Sequence, residues 1–339
     1  MKISRPPTTY PTTYHLPPTN CLSSVARCPL PIAYCLFPIA YFLFLTTSCN
    51  EKKMDADEIA QIGITTCQRQ PQFLPATGLD PKRAAFSTSE KRMKGIVLLQ
   101  FPANTADTAG RKTWQHPSWS VYGYMGPITT DENGNIYTAP IPVINELDNA
   151  QEKQNTIYKV GSKTGEMMPF VNLTMPANSN DENIFGLLGL YYDCHAQLLY
   201  AASVAGSTRD KEAGIIYAVD PQTGKIIDQL NGKDAIGLCV GGITGEKRLY
   251  FGSARTPDIY SIELTKAGKF TGSPRKEFSL DLLGPRGDDK ARRIRFEKNG
   301  QLIVFGVEFN YNLTAPTERQ ETVYHFRYDE EEKKWLKVE

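Results

Sequence analysis

Histidine is scarce. His15, His116, His195 and His325 are the four in 339 residues, which excludes a multi-histidine metal centre. Tryptophan is scarcer still, at positions 114, 119 and 335. Seven cysteines are too few for a disulfide scaffold. No charge of one sign dominates: 38 Lys and Arg face 37 Asp and Glu, a net charge of +1, so no electrostatic footprint for nucleic acid is present. Helical periodicity is also missing, and only 54–62, MDADEIAQI, fits a brief helix. A chain of this length buries a core without metals or disulfides.

The first part of the chain is a different material. Residues 1–48 hold Lys2, Arg5 and Arg27 and no acid, so the remainder is net −2. Eight of the 23 prolines lie between Pro6 and Pro38. An apolar run between Arg27 and Thr46 then leads through Thr47 and Ser48 to Cys49. A positive charge, an apolar run and small residues have the layout of an export signal. The ending LTTSCN resembles the signal of bacterial lipoproteins of the Bacteroidetes type. That resemblance implies cleavage before Cys49, a lipid on its thiol and no other membrane attachment. It places the protein outside the cytoplasm, on the periplasmic or surface side of a bacterial membrane. Position −3 carries Thr46 where that family usually has leucine. A membrane anchor or plain signal peptide is the alternative. PIAYCLF at 31–37 and PIAYFLF at 38–44 are near-copies, which also fits an extension upstream of the true start. The expected organisation is a leader over 1–48, a tether over 49–59 and one domain over 60–339. Cys67, Cys194 and Cys239 remain in that domain. Three is odd, so at most one pair forms, and each reads as a buried small hydrophobe.

The body repeats. One unit is strand, polar turn, strand: GPITTDENGNIYTAP at 126–140, GLLGLYYDCHAQLLYAAS at 186–203, IGLCVGGITGEKRLYFGSA at 236–254 and RRIRFEKNGQLIVFGVEF at 292–309. Asn133-Gly134 and Asn299-Gly300 suit tight hairpins because both residue types tolerate positive φ. A second unit follows each copy, a strand with an apolar residue before Tyr158, Tyr217, Tyr260 or Tyr324. VDPQTGKIIDQL at 219–230 adds a turn and a fourth strand. A weaker first copy spans 60–119, with strands at 84–89 and 95–101 and an outer one at 112–119. A single four-stranded unit is too small to bury both faces, whereas radial packing covers each with its neighbours. The fold class is therefore all-β, a β-propeller of five blades with four antiparallel strands each, or six blades if 50–83 contributes strands.

IYAVDPQTGKII resembles blades of quinoprotein-type propellers, and GPITTDENGNIYTA resembles blades of NHL and gluconolactonase (SMP-30-like) propellers. The gluconolactonase likeness implies a channel metal held by Glu, Asn and Asp from different blades. The segments that match its motif are 183–186 and 200–203, and the expected acid is Ala202 or Ser203. A metal-dependent hydrolase is thus the alternative reading, with no metal ligand, catalytic residue or cofactor assigned. The Asp193-Cys194-His195 triplet reads as turn residues, because strand neighbours point to opposite faces.

Two clusters are candidate ligand contacts. Arg293 and Arg295 alternate onto one face of a strand, where they can meet an anionic ligand. Trp114, His116, Trp119, Tyr122 and Tyr124 form the richest aromatic group, suited to stacking on a saccharide or a peptide, or to filling between blades. The expected role is binding or scaffolding for a glycan, peptide or protein partner. The long connections 139–156, 204–214 and 308–322 would line the binding end.

Overall fold

The computed structural model describes residues 54–338, apart from 91, 104–110, 143–147, 175–182 and 312–319. The leader and Cys49 lie outside the described residues. So do the middle of the 139–156 connection and most of 308–322.

Five antiparallel sheets follow one another along the chain. The first has three strands: β1 (Ala84–Ser87), β2 (Val97–Gln100) and β3 (Lys112–Trp114). The second contains β4 (Met125–Thr130), β5 (Ile136–Pro140), β6 (Thr156–Val160) and β7 (Met167–Asn172). The third contains β8 (Leu187–Asp193), β9 (Leu198–Ser203), β10 (Ile215–Val219) and β11 (Ile226–Asn231). The fourth contains β12 (Ala235–Gly241), β13 (Arg248–Ser253), β14 (Asp258–Leu264) and β15 (Phe270–Ser279). The fifth contains β16 (Lys290–Phe296), β17 (Leu302–Val307), β18 (Thr322–Asp329) and β19 (Lys334–Val338). The four repeated phrases are the first two strands of sheets two to five, and the Tyr-bearing strands are the third. Residues 117–119, expected at the end of an outer strand over 112–119, instead open the 3-10 helix Pro117–Tyr122. The brief helix is α1 (Ala56–Gln61), capped by Asp55, whose carboxylate accepts from Asp57 N.

The sheets pack as propeller blades. β4 lies against β8, β8 against β12, and β12 against β16, so these first strands surround a common axis. Apolar clusters fill the wedges between sheets. Ile96, Leu98, Trp119 and Met125 join the first to the second. Tyr137, Leu187, Leu199 and Tyr217 join the second to the third. Tyr200, Ile216, Leu238 and Phe251 join the third to the fourth. Tyr250, Ile294, Val304 and Trp335 join the fourth to the fifth.

Each axis-lining strand carries a register shift near its start: Met125/Ile128 in β4, Leu187/Gly189 in β8, Ala235/Gly237 in β12 and Ala291/Arg293 in β16. Such bulges bend and twist a strand. The close approach they permit needs glycine. A Cβ on Gly189 would lie 2.8 Å from Ile236 O, and one on Gly237 would lie 2.4 Å from Ala291 O.

Residues 54–73 form a strap across the end of the ring where first and second strands turn. Gly242 N donates to Ile62 O, Arg69 N to Asp131 O and Phe73 N to Ser162 O, so the strap passes from the fourth sheet to the second. Cys67 and Cys194 form a disulfide that fastens it to the third sheet. The reading of these two cysteines as isolated buried hydrophobes is corrected: the strap returns over a turn 127 residues away, a proximity that spacing does not encode. Among the described residues the free thiol is Cys239, which is buried, and burial pushes its pKa up to about 12, so it stays protonated and inert.

Gly237→Ala is expected to cost about 1–3 kcal/mol, because its methyl group meets a backbone carbonyl that cannot yield. Urea unfolding followed by tryptophan fluorescence measures this, and unchanged stability would contradict the close-packed axis.

Candidate functional site

Antiparallel order sends the second-to-third-strand connections and the sheet-to-sheet connections to the end opposite the strap. There, residues from the three long connections 139–156, 204–214 and 308–322 meet beside the axis-lining strands. Phe185, Val204, Ile236 and Ala254 are buried together. Ile141, Ile184, Leu188, Phe309 and Tyr311 pack on them and remain partly exposed. The Phe185 and Phe309 rings are 5.4 Å apart, and the Phe309 and Tyr311 rings 5.6 Å. Leu188 and Ile236 belong to the axis-lining strands β8 and β12, so this mouth of the channel is floored by hydrocarbon.

A polar lock stands beside the floor. Asp234 is buried and accepts from Gly214 N at 2.8 Å, Arg255 at 3.2 Å, Tyr311 OH at 2.5 Å and the Ser207 hydroxyl. Arg255 also donates to the carbonyls of Thr208 and Lys211, at 2.9 and 3.2 Å. The 204–214 connection is thereby tied to the fourth sheet. Burial first, then Asp234, raises the Tyr311 pKa, so its hydroxyl stays a donor. A half-open apolar floor edged by fixed polar groups can bind a partner. Among the described residues, no three His, Cys, Asp or Glu side chains come together as metal donors.

The aromatic residues flagged in the sequence gather between the first and second sheets. Trp119 is fully buried, and its Nε1 donates to Gly165 O at 2.7 Å. Trp114 stacks on Phe73 at 5.8 Å and meets Trp119 edge-on at 5.2 Å. His116 caps the 3-10 helix, its Nδ1 accepting from Ser118 N at 3.2 Å. Tyr122 packs on Tyr158 at 4.6 Å. Tyr124 bridges to Gly95, and its N donates to Asn149 Oδ1 at 3.0 Å. Trp119 fills between these blades, while Trp114, His116, Tyr122 and Tyr124 remain partly exposed.

Arg293 and Arg295 lie on β16 with side chains 58% and 61% exposed. Their guanidinium groups flank the Phe305 ring, 4.2 and 5.3 Å from its centroid, and Arg293 pairs with Glu321. They are not brought to the apolar floor. Asp131 and Asp220 cap their own turns, accepting from Asn133 N and Gln222 N. Phe185, Asp234, Arg255, Phe309 and Tyr311 were not legible as a site. Phe309 and Tyr311 on one long connection were the signal available.

At the strap end, Lys247 Nζ lies 2.7 Å from Asp193 Oδ2, with both side chains buried, and 3.3 Å from His195 Nδ1. His195 Nε2 faces Glu58 Oε1 at 2.8 Å. This chain of contacts clamps α1 to the third and fourth sheets. With Cys194 in a disulfide, no thiol–imidazole pair exists there.

No family model matches the sequence, and none of the curated proteins compared matches it. Among solved structures it is similar to regucalcin, a calcium-binding protein from Agrobacterium tumefaciens str. C58, at 12% identity and a TM-score of 0.41, over 77% of this chain and 70% of that one. It is also similar to a nidogen/laminin complex chain, at 12% identity and 0.41 over 70% and 83%. A glucose dehydrogenase gives 12% and 0.38 over 71% and 77%. These likenesses concern the fold alone.

The loop-bearing end has a second lock in the 280–289 connection. Asp289 accepts from Arg286 through two nitrogens and from Tyr324 OH at 2.8 Å. Burial raises the Asp289 pKa, but the Arg286 and Tyr324 hydrogen bonds outweigh it and leave the pKa below the ordinary value of 3.8. A lowered native pKa stabilises the fold above the unfolded-state value and loses that contribution as pH falls through the native one. Asp289→Asn is expected to lower stability at pH 7 by roughly 1–3 kcal/mol and to flatten the loss of stability below pH ~4. Urea midpoints measured across the acid range check this. Parallel curves for both proteins would contradict it.

Proposed function

We propose that this protein is a lipid-anchored extracytoplasmic propeller that binds a glycan, peptide or protein partner at the loop-bearing end of its ring. The observation that carries this reading is the convergence of Ile141, Val204 and Phe309 from three separate connections on one half-open floor at the axis. Partly exposed aromatic rings beside fixed polar groups are what binding surfaces use for affinity and orientation. Asp234 and Asp289 at this end are engaged by Arg255 and Arg286, which favours binding over a gluconolactonase-like hydrolase. Export is supported by the signal-like leader and by the Cys67–Cys194 pair, since disulfides persist in oxidising compartments. Cys49 carries the lipid in this reading.

The exposed Arg293–Phe305–Arg295 group extends the surface open to an anionic partner, through guanidinium forks suited to carboxylates. Trp119 itself is fully buried.

The test is a glycan and peptide array probed with the exported full-length protein and with Phe309→Ala and Arg295→Glu variants. Phe309→Ala is expected to weaken captured ligands at least tenfold with the fold retained. Equal binding by wild type and Phe309→Ala would move the site away from this end. In the same preparation, a diacylglycerol thioether on Cys49 is expected by mass spectrometry, and an unmodified chain beginning elsewhere would remove the anchor.

A further inference from the structure

One buried ionisable group is left unused by this reading. Lys247 precedes β13 in the turn of the fourth sheet, and its side chain is fully enclosed. Asp193 is the last residue of β8, in the third sheet, and its side chain is 2% exposed. The strap closes over them, with Glu58 on α1 and Cys67 bonded to Cys194 beside them. Asp193 Oδ1 accepts from His195 N at 2.9 Å, whereas Oδ2 lies 2.7 Å from Nζ without forming a well-directed hydrogen bond. A buried ion pair offsets its desolvation only when its remaining lone pairs and protons are well satisfied. Here they are not.

We infer that Lys247 and Asp193 condense to an intramolecular isopeptide bond in the folded protein. Nζ attacks Cγ of Asp193, the N–C bond forms and the Cγ–Oδ2 bond breaks. Two of the three ammonium protons leave with that oxygen as water, and the third stays on the amide nitrogen. Charge and atoms balance with no oxidant, cofactor or external acid. His195 Nδ1, 3.3 Å from Nζ, is placed to accept the first proton and return it to the departing oxygen, while Glu58 holds the far side of the ring. Burial lowers the Lys247 pKa, although the Asp193 charge opposes this, and so favours the free amine that attacks. Fixed proximity supplies the effective concentration, and the dry site excludes competing water. The product replaces two buried charges with one neutral amide. It ties the third sheet to the fourth at the same end as the disulfide.

The experiment is peptide mapping of the exported full-length chain, unfolded, reduced and digested with trypsin. The expected result is one branched peptide joining the segments that contain Asp193 and Lys247. It is lighter than their sum by one water, and cleavage after Lys247 is absent. Lys247→Arg keeps the positive charge but lacks the attacking amine, and both segments then appear separately at full mass. Separate, unmodified segments in the wild type would overturn the inference, leaving an ordinary ion pair. Water loss at Asp193 that persists in Lys247→Arg would overturn it as well.

Discussion

Every feature of this protein depends on burying both faces of a small sheet. Four short strands expose two apolar surfaces, and only neighbours on either side remove them from water. The Tyr-rich wedge clusters do this between successive sheets. The bulged first strands and their glycines set how closely the sheets approach. At the loop-bearing end, hydrocarbon from the connections packs on Leu188 and Ile236 of the axis-lining strands.

The two ends of the ring are built differently. One is crossed by the strap, held by backbone hydrogen bonds, a disulfide and the Glu58–His195–Lys247–Asp193 chain. The other keeps its apolar floor half-open, and its connections are braced by Asp234 and Asp289. Binding without closure requires such bracing, because ordering a loose loop on contact costs affinity. The strap end is the more cross-linked of the two, and the loop end is the one proposed for recognition.

The strand repeats were legible because alternation and turn chemistry are local. Asn133-Gly134 and the Tyr-bearing strands marked blades whose register the structure repeats. The three-stranded first sheet was readable for the same reason. The disulfide and the axis floor were not, since each joins residues from separate blades. Nothing within 204–214 announces that Asp234 will hold it. The aromatic run at 114–124 was conspicuous in composition, yet aromatic side chains serve packing and recognition alike. Only Trp119's enclosure and its bond to Gly165 separate the two.

The central claim is that the loop-end mouth of the ring is a hydrocarbon floor for a partner and not a cradle for a catalytic ion. Elemental analysis of the exported protein, equilibrated with excess calcium, zinc and manganese and then desalted, tests it most directly. The account predicts far less than one equivalent of any divalent metal. One full equivalent, lost in a variant altered at the axis mouth such as Leu188→Lys, would contradict it.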